Sequence, residues 1–202
     1  MGYVLFLKDF NFFWNGKLIM IDIKGKFVLI VGAGSTINKY NKEIKKFIQD
    51  NKPIVIGCNY ITDFIIPDIH FWGSAKRWRK YGYVTDKKSQ VLFLSNFSEK
   101  IIRKFWKGDY QLFYGVIRHW KYGSDKGKNY KFDRCCMRIK KGKILYGCYL
   151  DAVTRMIFWD YSQNVSRIYV IGSYGTSDLR MLDGVLEELN NRGIEANSSI
   201  AF

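Results

Sequence analysis

The stretch Lys26 to Asn59, KFVLIVGAGSTINKYNKEIKKFIQDNKPIVIGCN, leaves this chain few ways to fold. Phe27 to Val31 are apolar without interruption, so both faces of the strand they form must be covered, as in a parallel sheet. Gly32 and Gly34 follow, where the backbone can turn sharply and come close to a ligand. Ser35, Thr36 and Asn38 place hydroxyl and amide groups where the next helix starts, and the free N–H groups there favour an anion. Ile37, Tyr40, Ile44, Phe47 and Ile48 recur at helical spacing with lysines opposite. Pro53 closes that helix, and Ile54 to Ile56 form a second buried strand. The turn suits the phosphates of a nucleotide. A turn serving only tight strand-to-helix packing would use the same residues.

The alternation continues along the chain. Tyr3 to Leu7 and Lys17 to Ile23 flank Asn15-Gly16, a favoured two-residue turn, and predict an N-terminal β-hairpin extension over residues 1–25. Ile69 to Trp72 read as a third strand and Val91 to Leu94 as a fourth, followed by a basic helix near Ser98 to Lys107. Tyr110 to Lys143 shows scattered aromatics and no clean period, so residues 108–144 read as a basic loop or lid. Gly147 to Gln163 reads as a helix, and Ile168 to Ile171 as a strand ending in Gly172. Ser177 caps a helix with Leu179, Leu182, Val185, Leu186 and Leu189 on its core face; Gly193 stops it and Ile194 opens a last strand. No linker or repeat interrupts this order. Residues 1–202 therefore read as one α/β domain, a mainly parallel Rossmann-like sheet with helices on both faces plus the N-terminal hairpin.

Charge narrows the partners. Of the net +15, all the excess lies between Lys76 and Lys143, where 20 Lys or Arg face 5 Asp or Glu. Such asymmetry points to an anion: a nucleotide, a nucleic acid, an acidic glycan or an anionic membrane surface. A solvated face serving solubility alone would look the same. No apolar run reaches the roughly 18 residues of a membrane span, and MGYVLFLKDF has neither a basic leader nor a cleavage site, so a cytoplasmic protein is expected. Cys58, Cys135, Cys136 and Cys148 show no CxxC spacing, and His70 and His119 are the only histidines, so no metal site is expected.

Gly32 and Gly34 lack the third glycine of the dinucleotide fingerprint, Ile37 standing in its place; Asn59 follows the second strand where NAD enzymes carry an acid, and no P-loop pattern occurs. The order GAGSTI, IVIGCN and FWGSAKRW, followed by GCYLDAVTRMIFWDYSQNVSRIYVIGSYG, resembles another Rossmann-type group. It is similar to bacterial sialyltransferases that decorate lipooligosaccharide, and to hydroxymethylpterin diphosphokinase-like and flagellin-glycosylation proteins. The likeness runs from Lys26 to Gly175. It implies that Gly32, Gly34, Ser35 and Thr36 sit beside the nucleotide phosphates or ribose, and that Asn59 bonds the sugar or base. Ser74, Gly147 and Gly172 would complete the same pocket. The chain departs from the sialyltransferase pattern at Ala33, Ser35 and Gly73, and no histidine follows His119 where those enzymes carry a catalytic one. The diphosphokinase-like proteins often place an acid after the last strand's glycine; here Ser173 and Tyr174 follow, with Asp178 the nearest carboxylate.

The catalytic group is therefore unassigned, with His119, Tyr174 and Asp178 as candidates. His119 has the near-neutral pKa of a general base, but an ordinary surface histidine fits too. Lys76, Arg77 and Arg79 follow a strand end and could neutralise a diphosphate or contact the acceptor, or simply start a solvated helix. His70 reads as core or pocket wall. Trp72, Trp78, Trp106 and Trp120 interleave with basic residues as in single-strand nucleic-acid grooves, although Trp72 and Trp106 suit the core. The leading expectation is a nucleotide-dependent transferase, a sialyltransferase-like glycosyltransferase with a nucleotide-sugar donor and an anionic glycan or glycolipid acceptor. Peripheral contact with the inner membrane face goes with it, and no further cofactor is implied. The alternatives are diphosphate transfer to a small alcohol, a basic nucleic-acid-binding protein on a degenerate Rossmann core, and a non-catalytic protein that keeps the fold.

Overall fold

Phe27–Val31, the apolar run that opens the sequence argument, is the central strand of a seven-stranded sheet. The structure is a computed structural model and describes residues 21–61, 65–94, 96–113, 138–140, 143–145, 152–173 and 179–198. In chain order the strands are β1 (Phe27–Val31), β2 (Ile54–Cys58), β3 (Ile69–Trp72), β4 (Gln90–Leu94), β5 (Gln111–Phe113), β6 (Arg138–Lys140), β7 (Lys143–Leu145), β8 (Arg167–Ile171) and β9 (Glu195–Asn197). The helices are α1 (Thr36–Lys39), α2 (Asn41–Asn51), α3 (Ala75–Tyr81), α4 (Glu99–Ile102), α5 (Ala152–Ser162) and α6 (Leu179–Asn191). All pairs in the main sheet are parallel, in the order β5-β4-β3-β2-β1-β8-β9, while β6 and β7 form a separate antiparallel hairpin. This is an α/β, Rossmann-like architecture.

Alternation along the central strands decides what covers each face. Leu29 and Val31 meet Ile37 and Ile44 of the α1–α2 segment, together with Val55 and Ile171. Val28 and Ile30 turn the other way, into a core with Val153, Met156 and Ile157 of α5 and Leu182, Val185, Leu186 and Leu189 of α6. Helices thus lie on both faces. The aromatic part of that same core holds α3 to the sheet: the Trp78 ring stands edge-on to Trp72 and Phe93 at 5.0 and 4.8 Å, and its Nε1–H donates to the Ile101 carbonyl at 2.7 Å.

Three sequence expectations change. The single helix expected from Ile37 to Ile48 is two, because Tyr40 (φ −111°, ψ 30°) leaves the helical region between α1 and α2. The basic helix near Ser98 to Lys107 shrinks to α4, after which Trp106 Nε1–H bonds the Asp109 carbonyl and Arg103 Nη1 bonds Gly108 O, folding the chain back toward β5. The segment 108–144, read as a loop or lid, contributes β5 to the sheet edge and the β6–β7 hairpin. Most of the expected N-terminal hairpin lies outside the described residues. Among the described residues no helix is long and apolar enough to cross a membrane.

Candidate functional site

Strand order reverses between β1 and β8, since the chain steps outward from β1 to β5 on one side and from β8 to β9 on the other. At such a reversal the connections leave toward opposite faces, and open α/β sheets bind ligands in the resulting crevice at the carboxyl ends of the strands. Here that place is made of two glycine turns. Gly32 N–H donates to Ile171 O at 2.8 Å, and Gly34 N–H to Gly172 O at 2.6 Å. Gly172 has φ +68°, and a Cβ on it would lie 2.7 Å from Gly32 O and from Ile37 Cγ2. A Cβ on Gly32 would lie 2.6 Å from Gly172 O. The two glycines are therefore required by their contact with each other, whether or not a ligand is present.

What the turn offers a ligand comes after them. Ile37 and Asn38 N–H groups are taken by Gly34 O and Ser35 O at 3.3 and 3.2 Å. The amides of Ala33 and Ser35 have no partner among the described residues, and both residues are exposed. Backbone amides left open at a turn of this kind can bind an anion. The helix that follows, α1, has four residues, so hydrogen bonding rather than a helix dipole would hold an anion here.

Asn59 lies at the end of β2 with φ +59°, a left-handed conformation that Asn adopts more readily than most residues. Its Oδ1 accepts from Gly73 and Ser74 N–H, both at 3.1 Å, and its own N–H donates to Phe71 O at 2.7 Å. Its carbonyl accepts from His70 Nε2 at 2.6 Å. Asn59 thus clamps the ends of β2 and β3, and only its Nδ2 has no partner among the described residues. His70, 2% exposed, belongs to the core and stacks on Trp72 at 4.8 Å. Burial lowers its pKa to about 4, so at neutral pH it is uncharged, with the proton on Nε2 and Nδ1 left without a partner.

Ser74 caps α3: its Oγ accepts from Arg77 N–H at 3.3 Å. Lys76, Arg77 and Arg79 stand exposed along α3, leading away from the carboxyl edge. The start of α5 crosses the same edge. Cys58 Sγ donates to Ala152 O at 3.7 Å, and Cβ atoms on Gly32 and Gly73 would meet Val153 Cγ2 and Ala152 Cβ at 3.0 and 3.3 Å. The structure therefore brings Gly32, Gly34, Ser35, Thr36, Asn59, Ser74 and Gly172 to one sheet edge. Gly147, His119, Tyr174 and Asp178 lie outside the described residues. Trp72, Trp78 and Trp106 are all buried, so Trp78 joins the core rather than a stacking groove.

Two features escaped the sequence reading. Asp160 lies on the core face of α5, fully buried, with neither carboxyl oxygen hydrogen-bonded among the described residues, and burial pushes its pKa well above the usual carboxylate range. Its spacing from Val153, Met156 and Ile157 is the one signal that marks it. The other is a cavity of about 250 Å³ at the opposite, amino-terminal edge of the sheet, between Lys87, Lys88, Trp106 and Tyr110. Among the described residues no group of three or more His, Cys, Asp or Glu could hold a metal ion. In comparisons with known proteins, no family model and no curated protein matches the chain.

Proposed function

We propose that the chain is a nucleotide-dependent transferase, a glycosyltransferase that takes a nucleotide-activated sugar and passes the sugar to an anionic glycan or glycolipid. The observation that supports this most is the pair of unspent amides at Ala33 and Ser35, placed where strand order reverses. Those amides suit phosphate oxygens, and Asn59 Nδ2, at the end of β2 along the same edge, suits a sugar hydroxyl or base carbonyl. Lys76 and Arg77, at the start of α3, would offset charge developing on a departing nucleotide.

The test is thermal unfolding with CMP, UMP, GMP and ADP derivatives in turn. One base should stabilise the fold by about 2 to 3 kcal/mol at a hundredfold excess over its Kd; no shift with any of them ends the nucleotide reading. Ser35→Asp puts a negative charge beside the exposed amides. It should weaken that binding at least about tenfold while leaving stability within about 0.5 kcal/mol, as for other surface changes. A diphosphokinase would instead respond to ATP and a small alcohol, and would transfer no sugar.

A further inference from the structure

The outer sides of α3 and α4, and the turn from α3 into β4, carry far more charge than Lys76 and Arg77 at the carboxyl edge account for. Between Lys76 and Lys107 stand ten Lys or Arg against two carboxylates. Nine of the ten are exposed, and the tenth, Arg103, pairs with Glu99 at 3.3 Å. The other carboxylate, Asp86, accepts from the Lys88 backbone N–H at 2.8 Å. Two carboxylates against ten cations leave the stretch with a net charge of +8.

At one end of that surface is Tyr83, 68% exposed. Its ring meets Phe105 at 6.3 Å; Lys104 Nζ lies 4.8 Å from the Phe105 ring, and Lys80 Nζ lies 4.9 Å from the Tyr81 ring. Ile66, 52% exposed, enters β3 next to the entry of β4, so both exposed large apolar side chains of the described residues stand at the same amino-terminal edge. A single exposed ring is ordinary. An exposed phenol beside Phe105 and Tyr81, rings that Lys104 and Lys80 approach, has the composition of an interfacial anchor.

We propose that the outer face of α3 and α4, with Tyr83 at its end, docks on an anionic lipid bilayer. The lysines lie over the headgroup phosphates, and Tyr83 enters the headgroup layer. Single-stranded nucleic acid fits less well, because stacking needs several open rings in succession. Tyr60 and Tyr81 stack on each other at 4.5 Å, Lys104 covers Phe105, and Trp78 and Trp106 are buried. This surface is independent of the transferase reading, and its test uses no nucleotide.

The full chain is sedimented with phosphatidylcholine vesicles, with and without phosphatidylglycerol. Binding is expected only with phosphatidylglycerol, and it should fall as sodium chloride rises. Lys80→Glu with Lys104→Glu should cut it at least about tenfold, and Tyr83→Ser severalfold. Lys42→Glu with Lys46→Glu, the same change in net charge on exposed positions of α2, should leave it within about twofold. Circular dichroism checks each variant, and Arg79→Glu with Lys100→Glu, both on exposed positions, replaces the α3–α4 pair if it does not fold. The proposal is overturned by binding to neither vesicle, by equal binding to phosphatidylcholine alone, or by an equal loss in the α2 pair. It is also overturned if an oligonucleotide is captured while vesicles are not.

Discussion

His70 and Asp160 are both buried, and burial disfavours the charged form of each, yet they act on stability with opposite signs. Folding takes the His70 pKa from 6.5 to about 4. Between those values the unfolded chain binds a proton that the folded one refuses, so stability falls as pH drops from 6.5 to 4 and levels below. The loss is on the order of 3 kcal/mol. His70→Gln, which keeps a donor toward Asn59 O, should flatten that slope in urea titrations run at several pH values. Asp160 works in reverse, its folded pKa being raised by burial. Above about pH 4 its unfolded carboxyl ionises while the folded one stays protonated, so the group costs stability as pH rises. Asp160→Asn should gain about 1 kcal/mol or more at pH 8 and nothing below pH 4. Asn59→Ala removes the acceptor for two backbone amides and should cost about 2 kcal/mol, whereas Asn59→Asp should keep most of it.

At the scale of elements, the helix ends give the clearest predictions. α2 terminates at Lys52 in the left-handed conformation (φ 48°), with its N–H donating to Ile48 O. Lys52→Gly should stabilise by about 0.5 to 1 kcal/mol in chemical denaturation, since glycine occupies that region without strain. How much of the fold was legible follows from the same elements. β1 and β3 match their expected bounds, because a strand hidden on both faces is built almost wholly of apolar residues, His70 being the one polar side chain in the two. β5 could not be read: it is three residues, Gln-Leu-Phe, and becomes a strand only because β4 offers an edge. The break at Tyr40 was equally silent, since Ile37 and Ile44 keep helical spacing across it and only the seating of Ile37 against Gly172 separates the two turns. For the candidate site, the sequence revealed a sharp turn at Gly32 and a polar one at Asn59. It did not reveal that Gly172, far along the chain, presses on the first, or that Asn59 spends its side-chain oxygen on β3. Both depend on contacts distant in sequence, which no local pattern encodes.

The whole molecule carries a net charge of +15; among the described residues Arg103 pairs with Glu99 and Arg167 with Glu195. Self-repulsion at that charge opposes compaction, and salt screens it. The midpoint of thermal unfolding should therefore rise with sodium chloride, the opposite of what a surface rich in ion pairs would show.

The pairing of β1 with β8 also sets an order of events during synthesis. β1 leaves the ribosome early and can find β2, β3, β4 and β5 in turn, but its other edge stays open until Ile171 emerges. For most of translation the middle of the finished sheet is the rim of a partial one, with unpaired backbone groups and the apolar side chains meant for α5 and α6 in water. A nascent chain halted before β8 would be a substrate for chaperones rather than a smaller stable protein.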